Sequence, residues 1–344
     1  MTLTGLQAAL GDRAIAGELM SQHTTFGIGG PADLFMLART QAELCTAVRQ
    51  AREYQVPYFI LGSGANLLVA DKGIRGLVIW NQCTSITIAR DVDGHAGPAP
   101  ADREAAEPFR QEGVWLVLAE SGALLQSVAR RVVARGLAGL EWAVDVPGTV
   151  GGAVVGNAGA FGGYVSDNLL RAKVLTPAGG GADQAAPVTE KSAPVPCGGR
   201  WWSKDDLKLG YRTSILKETR QLAPFPPVIL EAEFVLHEGD AVVLKERAQQ
   251  YTRRRLETQP TGPSAGSVFK RTAQYPAGFL IENAGLKDTR IGGAVISPQH
   301  ANFIVNVGGA TAQDVRALIE LIREKVYAQF KILLDLEVEL VGEW

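Results

Sequence analysis

Residues 147–163 read PGTVGGAVVGNAGAFGG, and this glycine density narrows the possible folds more than any other stretch. Glycine broken by apolar residues, rather than by serine or charge, does not read as a flexible linker. It marks backbone that comes close to a bulky, flat or phosphorylated ligand where a Cβ would collide, or else a barrel corner or a string of tight turns. A second glycine loop tips the balance toward a ligand. Gly62-Ser63-Gly64-Ala65-Asn66-Leu67-Leu68 follows the apolar, strand-forming run Val56-Pro57-Tyr58-Phe59-Ile60-Leu61. Upstream, Thr40 and Glu43 have capping-box spacing, and Leu44, Ala47, Val48 and Ala51 recur at helical spacing. The predicted order is helix, strand, glycine loop, then a second strand near Gly76 to Trp80.

The second loop is not a dinucleotide fingerprint, because Leu67 stands where the third glycine of G-x-G-x-x-G would fall and no helix-forming sequence follows. It is not a P-loop, since no Gly-Lys-Ser/Thr follows. Two phosphate-type glycine loops outside both common nucleotide folds favour another dinucleotide, and FAD is the usual one. Backbone N–H groups of such loops form an anion-binding nest for a pyrophosphate. No His or Cys lies in either loop, so FAD is expected to be held without a covalent tether.

A net charge of −2 gives no reason to expect nucleic acid or an anionic membrane as partner. No apolar run approaches membrane-spanning length, and the N-terminal residues lack both a basic leader and a long apolar core. Cys45, Cys83 and Cys197 are far apart and cannot all pair, which suits a reducing cytoplasm. The expectation is a cytoplasmic monomer with small-molecule partners and no bound metal, the four histidines having no paired spacing.

Two segments break the globular pattern, 91–113 and 177–196, both rich in Pro, Ala and Gly and poor in large apolar residues. They read as surface insertions within a domain. Ile86-Thr87-Ile88 and Trp115-Leu116-Val117-Leu118 read as strands flanking the first. A helix is predicted from Leu124 to Arg135, with Leu125, Val128, Ala129, Val132 and Val133 on one face and Gly136 as its stop. Another is predicted from Ala241 to Leu256. A long amphipathic helix follows the capping pair Thr311 and Asp314, with Val315, Leu318, Ile319, Ile322, Val326 and Phe330 inward. Lys331 to Leu340 alternates as a half-buried strand, and Lys204-Asp205-Asp206 reads as a charged surface turn. The sum is an α+β chain.

Several motifs then recur in a fixed order: Gly27-Ile28-Gly29-Gly30-Pro31-Ala32-Asp33, the two glycine loops, Gly210-Tyr211-Arg212-Thr213-Ser214, and Ala265-Gly266-Ser267-Val268-Phe269-Lys270. After them come Gly278-Phe279-Leu280-Ile281-Glu282, Ala284-Gly285-Leu286-Lys287, and Ser297-Pro298-Gln299-His300-Ala301-Asn302-Phe303-Ile304-Val305-Asn306. As an ordered set, spanning Thr24 to Gly342 apart from the two insertions, they closely resemble the UDP-N-acetylenolpyruvoylglucosamine reductase family, in its shorter form lacking a tyrosine-bearing loop over the nucleotide.

The resemblance implies a flavoprotein fold of the vanillyl-alcohol-oxidase/PCMH type. Residues 1–80 and 81–233 would be FAD-binding subdomains, and 234–344 a substrate domain whose last strand carries a catalytic glutamate. It implies that NADPH reduces FAD and leaves, and that enolpyruvyl-UDP-N-acetylglucosamine then takes hydride at its terminal carbon and a proton at the neighbouring one, giving UDP-N-acetylmuramate. Such an addition builds charge on the conjugated carboxylate, so the site needs a stabiliser aimed at that charge and a positioned proton donor. The motif positions give Arg212 as the first and Ser267 as the second, with Glu337 orienting or polarising the carboxylate end. Gly62, Ser63, Gly64, Ala65, Asn66, Leu67, Pro147, Gly148, Thr149, Gly151, Gly152, Asn157, Ala158 and Gly159 are the candidate FAD contacts. Tyr211, Arg254, Gly266, Lys270 and His300 are the candidate substrate contacts. Three positions depart from the family pattern: Asp145 stands where glycine is usual, Glu339 where arginine is common, and Arg271-Thr272 where asparagine-proline is frequent. Two other readings stay open, an FAD oxidase of the same fold and a nucleotide-sugar-binding relative without turnover.

Overall fold

The computed structural model describes residues 2–91, 114–176 and 198–344; apart from Asp91, the two segments predicted as surface insertions lie outside the described residues. The chain divides into two compact units. One comprises Met1–Thr2, Leu37–Gly62 and Ile79–Thr252, the other Leu3–Met36, Ser63–Val78 and Arg253–Trp344. Residues 1–80 are thus shared between the two units.

In the first unit an antiparallel sheet runs in the order Arg200–Ser203, Leu169–Leu175, Val228–Glu238, Val114–Glu120, Ile86–Arg90, with Leu137–Ala138 also paired to Val228–Glu238. Its register sets Phe234 opposite Val117 and Ala232 opposite Ala119, and all four are fully buried. The helix Leu125–Val133 covers this core with the five apolar residues that the periodicity picked out, all buried. The short helix Val150–Val155 adds Val150 and Val154 to the same cluster. Arg171 pairs directly across to Glu233 at 2.5 Å and Lys173 to Glu231 at 3.1 Å. Arg171 also lies over the Trp201 ring, 4.3 Å from its centroid. Because Val228–Glu238 is a central strand of this sheet, the boundary expected at residue 234 falls inside a continuous element.

The core of the second unit gathers round the helix Ala312–Phe330, whose Val315, Leu318, Ile319, Ile322 and Val326 are buried. Both halves of the capping box at Thr311 and Asp314 are formed. A three-stranded antiparallel sheet, Arg290–Ile291, Ala294–Ile296 and Ile304–Asn306, and the helix Ala277–Asn283 belong to the same unit.

Three local expectations need correction. The strand predicted over 331–340 is reduced to Glu339–Val341, which pairs in parallel with Leu67–Val69. Before it the chain is irregular, with an isolated bridge from Leu336 to Phe269 and a bend at Glu337 and Val338, because Glu337 N and Val338 N both donate to the single carbonyl of Val268, at 2.8 and 3.3 Å. A regular ladder cannot share one acceptor between successive amides. Lys204–Leu207 is a short helix, since Ser203 and Asp206 make a complete capping box ahead of it. Cys45 is disulfide-bonded while Cys83 is a buried free thiol, so cysteine spacing carries no argument about compartment. Among the described residues, no helix is long and apolar enough to cross a membrane.

Candidate active site

In the first unit the glycine-rich segment and the Gly210–Ser214 motif are built as one piece. Thr149 caps the helix Val150–Val155, its hydroxyl accepting from Gly152 N at 3.4 Å. Val150 N and Gly151 N donate to Ala123 O and Ser121 O, each at 2.8 Å, so these first-turn amides are engaged within the fold. The dense glycines do two jobs. A Cβ on Gly151 would lie 2.9 Å from Ser121 Cβ, and one on Gly163 2.3 Å from the Trp142 ring; one on Gly148 would meet nothing within 4 Å. Close packing accounts for the first two, whereas Gly148, at φ +126°, and Gly162, at φ +90°, present open backbone. Within the same unit, a Cβ on Gly62 would stand 2.5 Å from Thr149 Oγ1.

Asn157 is buried, with its Nδ2 donating to Gly210 O at 2.9 Å and its Oδ1 accepting from Ser166 N at 3.0 Å. Its side chain therefore holds the turn that carries Arg212. That turn closes through Thr213 N to Gly210 O at 3.3 Å and Gly210 N to Thr213 O at 3.0 Å. Ser214 anchors its far end, donating to Val155 O at 2.6 Å while capping the helix Ile215–Leu222. Arg212 sits at φ +58°, a left-handed conformation uncommon for a non-glycine residue and concentrated at functional sites. Its guanidinium lies 5.8 Å from the centroid of the half-exposed Tyr211 ring.

In the second unit, Ser267 and Glu337 are brought together by backbone. Ser267 bridges to Phe303, and Glu337 N donates to the carbonyl of Val268, the residue after Ser267. Asn302 clamps this segment from the other side. Its backbone carbonyl accepts from Val268 N at 2.8 Å, and its side chain accepts from Phe269 N at 3.0 Å and donates to Phe269 O at 2.9 Å. Asn66 of the glycine loop donates to Glu337 O at 3.0 Å and accepts from Glu339 N at 3.0 Å. His300 accepts at Nδ1 from Asn302 N at 3.2 Å, which assigns the proton of the neutral ring to Nε2. Burial, helped by the charge of Lys287, holds His300 below the usual histidine range. Lys270 is half-buried with its N–H donated to Asp335 O at 2.8 Å, and Arg254 is exposed.

The loop Ser63–Asn66 has the features of an anion site. The Ser63 hydroxyl is buried without a hydrogen-bond partner, and among the described residues no backbone carbonyl takes the amides of Ser63, Gly64, Ala65 or Asn66. Burying polar groups without partners is costly, and a pyrophosphate supplies acceptors of the right charge. These residues fit FAD. Among the described residues no cluster of His, Cys, Asp or Glu is suited to a metal ion. Asp145 has a structural task, pairing with Arg130 at 2.6 Å and accepting from Thr252 Oγ1. Thr25 and Asn302 are site-building residues that sequence reasoning missed; Asn302 stood inside a recognised motif, but its side-chain clamp leaves no mark on spacing.

A family model described as UDP-N-acetylenolpyruvoylglucosamine reductase, C-terminal domain, matches residues 258–341. A second, described as FAD binding domain, matches residues 32–181, in line with the expected FAD-binding α+β fold. A protein of Alkaliphilus oremlandii named UDP-N-acetylenolpyruvoylglucosamine reductase is 39% identical over 335 residues, covering 96% of this chain and 94% of its own length. The protein of that name from Caldicellulosiruptor bescii is 39% identical over 328 residues, covering 94% and 90%. The crystal structure of UDP-N-acetylenolpyruvylglucosamine reductase from Thermus caldophilus matches with a TM-score of 0.68 at 29% identity, covering 96% of this chain and 98% of that one.

Proposed function

The chain belongs to the UDP-N-acetylenolpyruvoylglucosamine reductase family, and from that premise we propose that Arg212, Ser267 and Glu337 carry the reduction of enolpyruvyl-UDP-N-acetylglucosamine to UDP-N-acetylmuramate, a step of peptidoglycan synthesis. The enzyme is FAD-dependent, with NADPH as reductant. FAD held at the glycine loop would supply the hydride-transfer chemistry between NADPH and the enolpyruvyl double bond.

The rest of the reaction falls to the protein. Adding hydride at the terminal carbon leaves an electron pair delocalised into the substrate carboxylate as an enediolate. Arg212 has a fixed charge and a planar fork suited to that carboxylate. The hydroxyl of Ser267 donates the proton that closes the reaction at the neighbouring carbon. A serine is a weak acid in water, but a strongly basic enediolate in a dry site is a sufficient acceptor. Glu337 orients the carboxylate end through a proton, a water or a cationic neighbour. The observation that carries the assignment is the pairing of Glu337 N with the carbonyl next to Ser267, with Asn66 of the glycine loop bonded on either side of Val338.

Ser63, Gly64, Ala65 and Asn66 offer amides and a hydroxyl to the FAD pyrophosphate; Gly62, Leu67, Pro147, Gly148, Thr149, Gly151, Gly152, Asn157, Ala158 and Gly159 are the further FAD contacts of this reading, and Asn157 also holds the turn that carries Arg212. Lys270 and Arg254 serve the substrate diphosphate, with His300 as an Nε2–H donor, Gly266 giving close backbone approach and Tyr211 an aromatic face. On this reading the enzyme works as a cytoplasmic monomer on soluble small molecules. Ser267→Ala tests the central role: flavin bleaching by NADPH stays near the wild-type rate, while recovery on adding the enolpyruvyl substrate slows by several orders of magnitude. Equal loss of both half-reactions would remove Ser267 from the proton-donor role.

A further inference from the structure

We infer that Thr25 is a positioning residue that passes the seating of the glycine loop on to the proton donor, an inference that rests on Ser267 being that donor. Thr25 N donates to Gly64 O at 3.2 Å, and Thr25 Oγ1 donates to Ser264 O at 2.7 Å with a longer approach of 3.3 Å to Gly64 O. One residue therefore ties the glycine loop to the chain three positions before Ser267. The link between, Ala265-Gly266, contains a left-handed glycine at φ +75° on which a Cβ would meet nothing within 4 Å. Such a joint is permissive, so its geometry is fixed from its ends. Asn302 fixes one end through Val268 N, and the Thr25 hydroxyl fixes the other.

Thr25 is itself held firmly. The hydroxyl of Thr24 donates to Ile28 O at 2.9 Å and lies 3.3 Å from Ile28 N, shaping the turn. The glycine loop packs on this turn with no slack: a Cβ on Gly64 would lie 2.2 Å from His23 O. A shift of the loop is therefore passed to Thr25 and, through its hydroxyl, to Ser264. A parallel stitch runs from Asn66 to Glu337 O and Glu339 N. The consequence is a direction of assembly: seating FAD in the loop orders the segments that carry Ser267 and Glu337 before substrate arrives.

Thr25→Val tests the link, because it keeps size, β-branching and the N–H to Gly64 O and removes the hydroxyl, with its 2.7 Å bond to Ser264 O and its longer 3.3 Å approach to Gly64 O. Stopped-flow absorbance should show flavin bleaching by NADPH within about twofold of wild type. Recovery on the enolpyruvyl substrate should slow at least about tenfold, since an ångström of misplacement costs roughly a hundredfold, and Thr25→Ser should restore it. Hydrogen–deuterium exchange gives a readout independent of turnover. Loading FAD onto the apo wild type should protect peptides covering 62–67, 265–269 and 335–339; in Thr25→Val the protection at 265–269 is lost and that at 62–67 remains. Wild-type recovery rates in Thr25→Val, or no FAD-dependent protection at 265–269 in the wild type, would overturn the inference. Ser267→Ala run alongside separates the two claims: if it too recovers normally, the donor assignment has failed, and the exchange pattern alone judges the link.

Discussion

Replacing Asn302 by alanine removes a clamp whose energetic weight follows from two hydrogen bonds. Asn302 is 7% exposed and Phe269 is 1% exposed. The side chain accepts from Phe269 N and donates to Phe269 O, so alanine leaves one buried amide and one buried carbonyl without partners. Each costs about 1–3 kcal/mol, giving a loss of roughly 2–6 kcal/mol from a total stability on the order of 5–15 kcal/mol. The backbone bond from Val268 N to Asn302 O survives, so the damage centres on Phe269 and its neighbours. Equilibrium urea unfolding followed by circular dichroism, with native-state exchange at amides 268–270, measures it. A loss under about 1 kcal/mol would mean that water replaces the side chain and that the clamp does not position Ser267. The isostere Asn302→Asp sharpens the test: it keeps the acceptor for Phe269 N but turns a carboxylate oxygen toward Phe269 O. Burial and that carbonyl raise its folded pKa above the unfolded value near 3.9. The penalty is therefore full above the folded pKa and shrinks as pH falls toward the unfolded one, and no pH dependence relative to wild type would refute the arrangement.

Arg171→Met strands Glu233, whose side chain is 5% exposed, and should cost about 3–5 kcal/mol in urea unfolding; Arg171→Met with Glu233→Leu should recover most of it. Cys83, pushed up to about 12 chiefly by burial and then by Glu120 and Glu43, should resist iodoacetamide at pH 8 until the protein is unfolded, and prompt alkylation of the native protein would contradict its placement. His300 should titrate below 6.5 by NMR. With its folded pKa depressed, its contribution to stability is present above 6.5 and lost as pH falls through the folded value, so a measured pKa above 6.5 would contradict its burial.

Much of this was legible because the signals were local. The faces of the helices Leu125–Val133 and Ala312–Phe330 follow from period 3.6, and the capping of the latter from Thr311 and Asp314. The glycine loops were visible as composition, but not which glycines pack and which stay open: that depends on what faces them, Ser121 for Gly151 and Trp142 for Gly163. Alternation from Lys331 to Leu340 matched the burial of Leu334 and Val338, yet pairing depends on the partner, and one carbonyl of Val268 serves two amides. Arg212, Ser267 and Glu337 were located only through ordered motifs. The supports from Thr25, Asn66, Asn157 and Asn302 join residues far apart in sequence through side chains whose type alone predicts nothing.

The most direct test of the account is an anaerobic stopped-flow trace at the flavin absorbance, with NADPH added first and enolpyruvyl-UDP-N-acetylglucosamine second. Bleaching by NADPH followed by rapid recovery only when the enolpyruvyl sugar is present is the predicted result. Recovery that requires oxygen, or a purified protein with no flavin spectrum, would contradict it.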